Sequence, residues 1–244
     1  MSKLKLLLFG ISFFAVYIAD FYAIANAPFP KFPAAVATEF DPPDRGSDGN
    51  RQGSSSRTGC PQVPQPLTAL IPETNLGLTA AERPTFLFYV PYSSEPPREV
   101  ELVLLDEVEN EIFNQTITPT AIPGIISISL PETVAALEIG KTYRWQFSYI
   151  CNPRIRAEDD YVEGAIERVA MDDELSRQLE AANTPLERAE LYAKARLWYE
   201  TLAELAQLRQ MQPQNPETLA EWQELLDSVG LGHLAEEPLR SAGR

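Results

Sequence analysis

Residues 143–151 read YRWQFSYIC. Tyr143, Trp145, Phe147, Tyr149 and Cys151 fall on one face at a period of two; Thr142, Arg144, Gln146 and Ser148 fall on the other. Strict alternation of this kind marks a strand with one buried and one wet face. A row of aromatics could also be a platform for stacking sugars. The shared face with Cys151 favours the core, because burying each ring is worth a few kcal/mol and a disulfide sulfur belongs inside.

Other strand signals surround this one. Phe86–Val90, Val100–Asp106, Glu111–Thr118, Ile125–Leu130 and Tyr161–Val169 are short β-rich runs. Pro and Gly turns and the acidic hairpin turn 107–110 separate them. Six short strands in this arrangement predict an antiparallel β-sandwich of immunoglobulin-like size over residues 60–170. Prolines 84, 91 and 123 fit strand ends, where no ladder hydrogen bond is lost.

From residue 171 the period changes to that of a helix. Asp172-Asp173-Glu174 places negative charge at a helix start, and Thr184-Pro185-Leu186-Glu187 supplies a cap, a first-turn proline and a capping-box acid. Ala189, Ala193, Leu197, Leu202, Leu205 and Leu208 recur at helical spacing. After Pro213 and Pro216, so do Leu219, Trp222, Leu225 and Leu226, up to Gly230. Residues 171–244 therefore read as a small α-helical unit, and the fold class is α+β.

The N-terminus reads as an export signal. Lys3 and Lys5 precede the apolar run 6–19, and small residues follow at 23–27. Asp20 interrupts the run well short of the about 20 residues a membrane span needs. The reading is a cleaved signal over residues 1–25, cut after Ala25 or Ala27, with no stable membrane insertion afterwards. Residues 26–59, rich in Pro, Gly and Ser, read as a disordered tether. Their aspartates lack the spacing of a calcium loop.

A formal net charge of -15 excludes nucleic acid and an anionic bilayer as partners. In an oxidising compartment two cysteines are most simply one disulfide, Cys60–Cys151. With one histidine they make too small a ligand set for a metal, and no dinucleotide, phosphate-loop or zinc spacing implies a cofactor. His233 lacks the context of a hydrolase triad. The acids at 158–160 and 172–174 are sequence neighbours rather than a pair held across a cleft, as glycan hydrolysis requires. The sequon Asn114-Gln115-Thr116 lies within a predicted strand. Candidate binding residues are Tyr89 and Tyr92 beside Pro91, with Trp198, Tyr199 and Trp222 on the helices.

Four stretches, PPDRGSDGNRQGSSSRTGCP (42–61), LTALIPETNLGLTAAERPTFLFYVPY (67–92), GKTYRWQFSYICNP (140–153) and LERAELYAKARLWYETLAELAQLR (186–209), together resemble the exported cyanobacterial family called domain of unknown function 928. The resemblance implies an extracytoplasmic protein and carries no catalytic residues to transfer. Here the tether is Ser-rich where the family tends toward Gly. The helices also resemble one tetratricopeptide-type pair ending at Pro213, with Ala189, Tyr192, Trp198, Leu202 and Leu205 in the expected places. Arg196 stands where Gly is usual and Thr201 where Ala is usual. A single repeat cannot bury its own faces and must pack on something else. The functional expectation is an exported binding or assembly module with a protein partner at the cell envelope. The alternatives are an envelope-acting glycan hydrolase, tested at Asp160 and Glu163, or a carbohydrate-recognition module.

Overall fold

In a computed structural model of the chain, residues 38–54, 59–93, 98–119 and 122–240 are described. The expected signal, residues 26–37 and residues 55–58 of the tether lie outside them. The strand read first, β7 (Thr142–Tyr149), takes the middle of a five-stranded sheet. It pairs antiparallel with β8 (Asp160–Arg168) on one side and β4 (Val100–Leu105) on the other. The sheet order is β2-β8-β7-β4-β5, with β2 at Leu76–Thr79 and β5 at Glu111–Ile117. A second sheet has the order β1-β3-β6-β9, formed by Thr68–Ala69, Thr85–Val90, Gly124–Ser129 and Leu239–Arg240.

The two sheets face each other through the rings of β3 and β7. Phe88 stacks on Phe147 with centroids 3.9 Å apart, and Phe86 and Phe88 meet the Trp145 ring edge-on at 6.2 and 5.6 Å. Tyr143, Trp145, Phe147, Tyr149 and Cys151 are all buried, so the aromatic face of the opening stretch is the core. Gly164 on β8 has to lack a side chain, because a Cβ there would lie 2.6 Å from the Trp145 ring.

The expected antiparallel sandwich needs one correction: both sheets are mixed. β2 joins β8 in parallel, and β9 joins β6 in parallel. These strands have four and two residues, too few to display a period. Their pairing is supplied from positions distant in the chain.

Four helices follow the sandwich: α1 (Asp173–Ala181), α2 (Pro185–Lys194), α3 (Trp198–Met211) and α4 (Pro216–Ser228). Three of them are capped by side chains, of which the sequence announces Thr184 as a cap and Asp172 as part of an acidic helix start. Asp172 accepts from the Leu175 N–H, Thr184 and Glu187 form the capping box, and Asn215 accepts from the Glu217 and Thr218 N–H groups. Helices α2 and α3 form a hairpin, tied by the two-pronged pair Arg188–Glu204 at 3.0 and 3.1 Å.

At the turn between α2 and α3, Arg196 has φ 61°, a left-handed conformation that costs an L-residue about 1 kcal/mol relative to glycine. Its ion pair with Asp41 is exposed and contributes little. Arg196→Gly is therefore expected to raise stability by about 0.5–1 kcal/mol, read as a higher urea midpoint.

The helical unit is not a separate body. Along β3, Phe86 and Phe88 point to the sandwich interior, so Thr85, Leu87 and Tyr89 point to the opposite face. Leu87 and Tyr89 are nevertheless buried, and α3 residues Ala203 and Ala206 line a cleft with Leu87 and Ile125. The helices are thus a third layer on the four-stranded sheet.

Two side chains at the start of α3 enter the sandwich. Trp198 donates its Nε1–H to the Leu70 carbonyl at 2.9 Å, and the Tyr199 hydroxyl accepts from Trp145 Nε1 at 3.1 Å. Gly77 on β2 makes room for this entry; its Cβ would lie 2.5 Å from the Tyr199 ring. Next in sequence, Glu200 accepts from Thr79 Oγ1 and the Ala80 and Ala81 N–H groups at 2.7–2.8 Å, fastening α3 to the end of β2. One buried apolar cluster runs from Phe147 through Trp198 to Trp222, and the described residues form a single compact unit. The division at residue 170 is a change of secondary structure within one core.

The tether reading also needs correction over residues 38–54. This segment is a strap. Thr38 donates its N–H to buried Glu221 on α4 at 2.9 Å, and Phe40 packs edge-on against Trp198 at 4.8 Å. Asn50 bridges to Glu163, Gln52 bridges to Thr68, and the Gly53 N–H donates to the Leu67 carbonyl at 2.7 Å. Arg51 donates to the Val229 carbonyl at the end of α4 at 2.6 Å and to Glu73 at 2.9 Å. Composition alone reads as disorder because every one of these partners is distant in sequence.

Glu221 gives the strap a pH dependence. Burial pushes its carboxyl above the ordinary 4.5, and the bonds from Thr38 oppose that shift only in part; Glu224 and Glu190 raise it further. A raised folded-state value means the folded protein holds the proton more tightly than the unfolded chain. Stability from this group is therefore full below about pH 4.5 and falls as pH rises through the folded value. Glu221→Gln removes that loss, so its gain over the wild type should be larger at pH 7 than at pH 4. Thermal melts of both proteins at the two pH values check this.

Candidate functional site

The five aromatic residues expected to bind are all buried. Tyr89 lies under the helical layer, Tyr92 stacks on Tyr149 at 4.1 Å, and Trp198, Tyr199 and Trp222 are in the shared core. Their placement corrects the sequence reading. A Trp or Tyr on an amphipathic helix supplies its largest free-energy gain when the helix packs on a sheet. Tyr92→Ala would therefore disturb folding and cannot isolate a glycan contact.

Cys60 and Cys151 form the disulfide, with Cα atoms 5.0 Å apart. Polar groups around it are paired within the fold. The Cys151 N–H donates to Asp159 Oδ1 at 3.0 Å, and Arg156 spans Asp159 and Glu101 at 2.5 and 2.7 Å. Donating to both carboxylates, Glu101 first and then Asp159, raises the Arg156 guanidinium. Tyr92 donates its hydroxyl to Asp160 Oδ2 at 2.6 Å, and burial pushes the phenol up. The strap lies over this carboxyl: a Cβ on Gly53 would be 2.5 Å from it. Asp160 and Glu163, the acids singled out for hydrolysis, thus sit beneath the strap and beside it. His233 is exposed in a 3-10 turn, Gly232–Leu234. Among the described residues no group of three or more His, Cys, Asp or Glu is placed to hold a metal.

A more open arrangement lies at the β4–β5 hairpin. Asp106 organises the turn by accepting from the Val108 and Asn110 N–H groups at 2.9 and 2.8 Å and from Asn110 Nδ2 at 2.8 Å. Those bonds, the Asn110 side chain first, hold its carboxyl below the ordinary range. Glu107 pairs with Lys141 at 3.0 Å, which lowers the acid and raises the amine. With the turn fixed, Val108 projects at its tip, 75% exposed.

Beside the tip is a cleft of about 250 Å³. Part-buried Ile112, Val134 and Ala136 make its floor, and exposed Ala135 joins Asp106, Glu107, Glu138 and Lys141 around it. Tyr143, the first residue of the opening stretch, closes one wall and accepts from the Glu138 N–H at 2.9 Å. Ile139, 59% exposed, stands close by in sequence. The geometry offers an apolar recess within an acidic rim, suited to holding a side chain and poorly suited to moving protons.

Sequence reasoning read residues 107–110 as a turn and went no further. The available signal was Val108, an apolar residue between two glutamates at a position with no core to enter.

The fold and its clefts define an α+β protein in which a mixed-sheet sandwich, tied by the Cys60–Cys151 disulfide, carries a helical layer and a strap. The family model described as Domain of Unknown Function (DUF928) matches residues 48–239, and the chain belongs to that family. No curated protein and no solved structure matches it.

Proposed function

We propose that the protein is an exported, non-catalytic binding or assembly module that engages a protein partner at the cell envelope. The observation that carries this reading is the hairpin end, where exposed Val108, an apolar-floored cleft and strand β5, whose outer edge no described residue pairs with, meet. Export is supported by the charged and apolar start of the sequence, by the disulfide and by the extracytoplasmic character that the cyanobacterial family resemblance implies. Among the described residues no helix is long and apolar enough to cross a membrane. The tetratricopeptide-type resemblance of α2 and α3 is supported by their hairpin and by the left-handed Arg196 at the turn between them. In this reading the pair spends its inner face on the sandwich, and recognition falls to the hairpin end instead.

The test is site-specific photo-crosslinking in cells making the full chain with its own leader. A photoreactive residue at Val108 should give a discrete adduct in the envelope fraction, and one at exposed Glu236 should not. A chain retained in the cytosol with reduced cysteines, or no adduct from any surface position, contradicts the proposal.

A further inference from the structure

Strand edges normally invite pairing, and proteins blunt them by shortening, covering or charging them. Three of the four edges here are treated that way. The β1 edge is two residues long and is closed by the strap, through the Gln52–Thr68 bridge and the Ala69 N–H donating to the Arg51 carbonyl at 2.8 Å. The β9 edge is also two residues long. At the β2 edge, α3 packs with Tyr199 over Gly77, and the strap reaches Thr74 and Asn75 just before the strand. The β5 edge is the exception among the described residues. It runs seven residues, Glu111–Ile117, contains neither Pro nor Lys, and carries one charge, at its first position; the one register shift, where Leu104 pairs with Phe113 and Leu105 with Glu111, leaves 113–117 regular.

The side chains of β5 also distinguish its two ends. Phe113 and Ile117 are buried, whereas Asn114, Gln115 and Thr116 are exposed and uncharged, offering backbone pairing without side-chain selection. Selection is concentrated at the N-terminal end. There Ile112 forms part of the cleft floor, and Asp106, Glu107, Glu109, Glu111 and Glu138 outnumber Lys141 and Arg144.

Building on the binding-module reading, we infer that β5 accepts an extended segment of a different chain as a sixth strand of its sheet. That segment places an apolar side chain in the cleft and a Lys or Arg against its acidic rim. Backbone bonds supply the contact along the strand, and the charged end fixes position and partner choice. A second copy of this chain is disfavoured as the occupant, because two bodies of net charge -15 repel.

The test uses the oxidised chain after leader removal and a fluorescent probe peptide, acetyl-Lys-Val-Thr-Val-Thr-Val-amide. Fluorescence anisotropy should report salt-sensitive binding, weakened about tenfold or more when Glu replaces the Lys of the probe or in the double variant Glu107→Lys/Glu111→Lys. Both acids are exposed, so the thermal midpoint of that variant should stay near the wild type. Hydrogen exchange across residues 111–117 should slow when the probe binds.

Absence of binding at about 1 mM probe, a ceiling already weaker than most specific recognition, overturns the inference. So does binding that leaves exchange in 111–117 unchanged. Light scattering that finds a dimer with 111–117 protected before any probe is added assigns the edge to a second copy and also overturns it. Crosslinks from Val108 without probe binding would leave the binding-module reading standing while removing strand addition.

Discussion

Replacing both Cys60 and Cys151 with alanine is expected to lower the unfolding free energy by about 4–5 kcal/mol. The link closes a loop with a sequence separation of 91, and loop-closure entropy for that length gives the figure. Its position concentrates the effect. Cys151 follows β7 on the buried face, and Cys60 begins the segment leading to β1, so the bond ties the approach to the smaller sheet to the end of the central strand of the larger one. Urea unfolding of the oxidised protein and the double variant measures the difference. The variant should also show a steeper denaturant slope, because its unfolded chain is less constrained. A loss below about 1 kcal/mol would mean that the unfolded chain already holds these ends together, against the loop-entropy account.

Removing the Tyr199 side chain should be comparably damaging by a different route. Its ring is fully buried between Gly77 and the Phe86 ring, whose centroid is 5.2 Å away, and its hydroxyl is the acceptor for Trp145 Nε1. Tyr199→Ala opens a large cavity and should cost about 3–5 kcal/mol. Tyr199→Phe keeps the packing and orphans one buried donor, for about 1–3 kcal/mol. The difference between these variants separates volume from hydrogen bonding, and chemical denaturation reads both. Because Tyr199 belongs to α3 and its partners to β3 and β7, the loss should appear in the sandwich as well as in the helices.

The element most legible in the sequence is the one now found at the centre. β7 shows its alternation because a sheet lies on both sides of it and a second sheet covers one face, so every other residue is forced inward. β4 alternates for the same reason, β3 and β6 are legible as short apolar runs because both of their faces are covered, and the helices are legible through spacing and the Thr184 cap. The strap was not legible. Asn50 meets Glu163, Arg51 meets Val229 and Thr38 meets Glu221, all more than 100 positions away, and each anchor is a single polar contact without a period.

The candidate site was misread for a related reason. Tyr92, Trp198 and Tyr199 have the composition of a binding surface, yet each finds an acceptor or donor inside the fold: Asp160, the Leu70 carbonyl and Trp145. Only placement tells a buried aromatic from an exposed one. Val108 and the β5 edge became visible once the other edges were seen to be covered.

Sandwich, helices and strap form one cooperative body, and among the described residues the hairpin end carries the uncovered strand edge. Native-state hydrogen exchange under increasing denaturant tests it most directly. Core amides of β7 and of α3 should open with the same free energy and the same denaturant dependence, and Tyr199→Phe should lower both equally. Exchange of α3 at a distinctly lower free energy, with β7 unaffected by that substitution, would show instead that the helical layer opens alone.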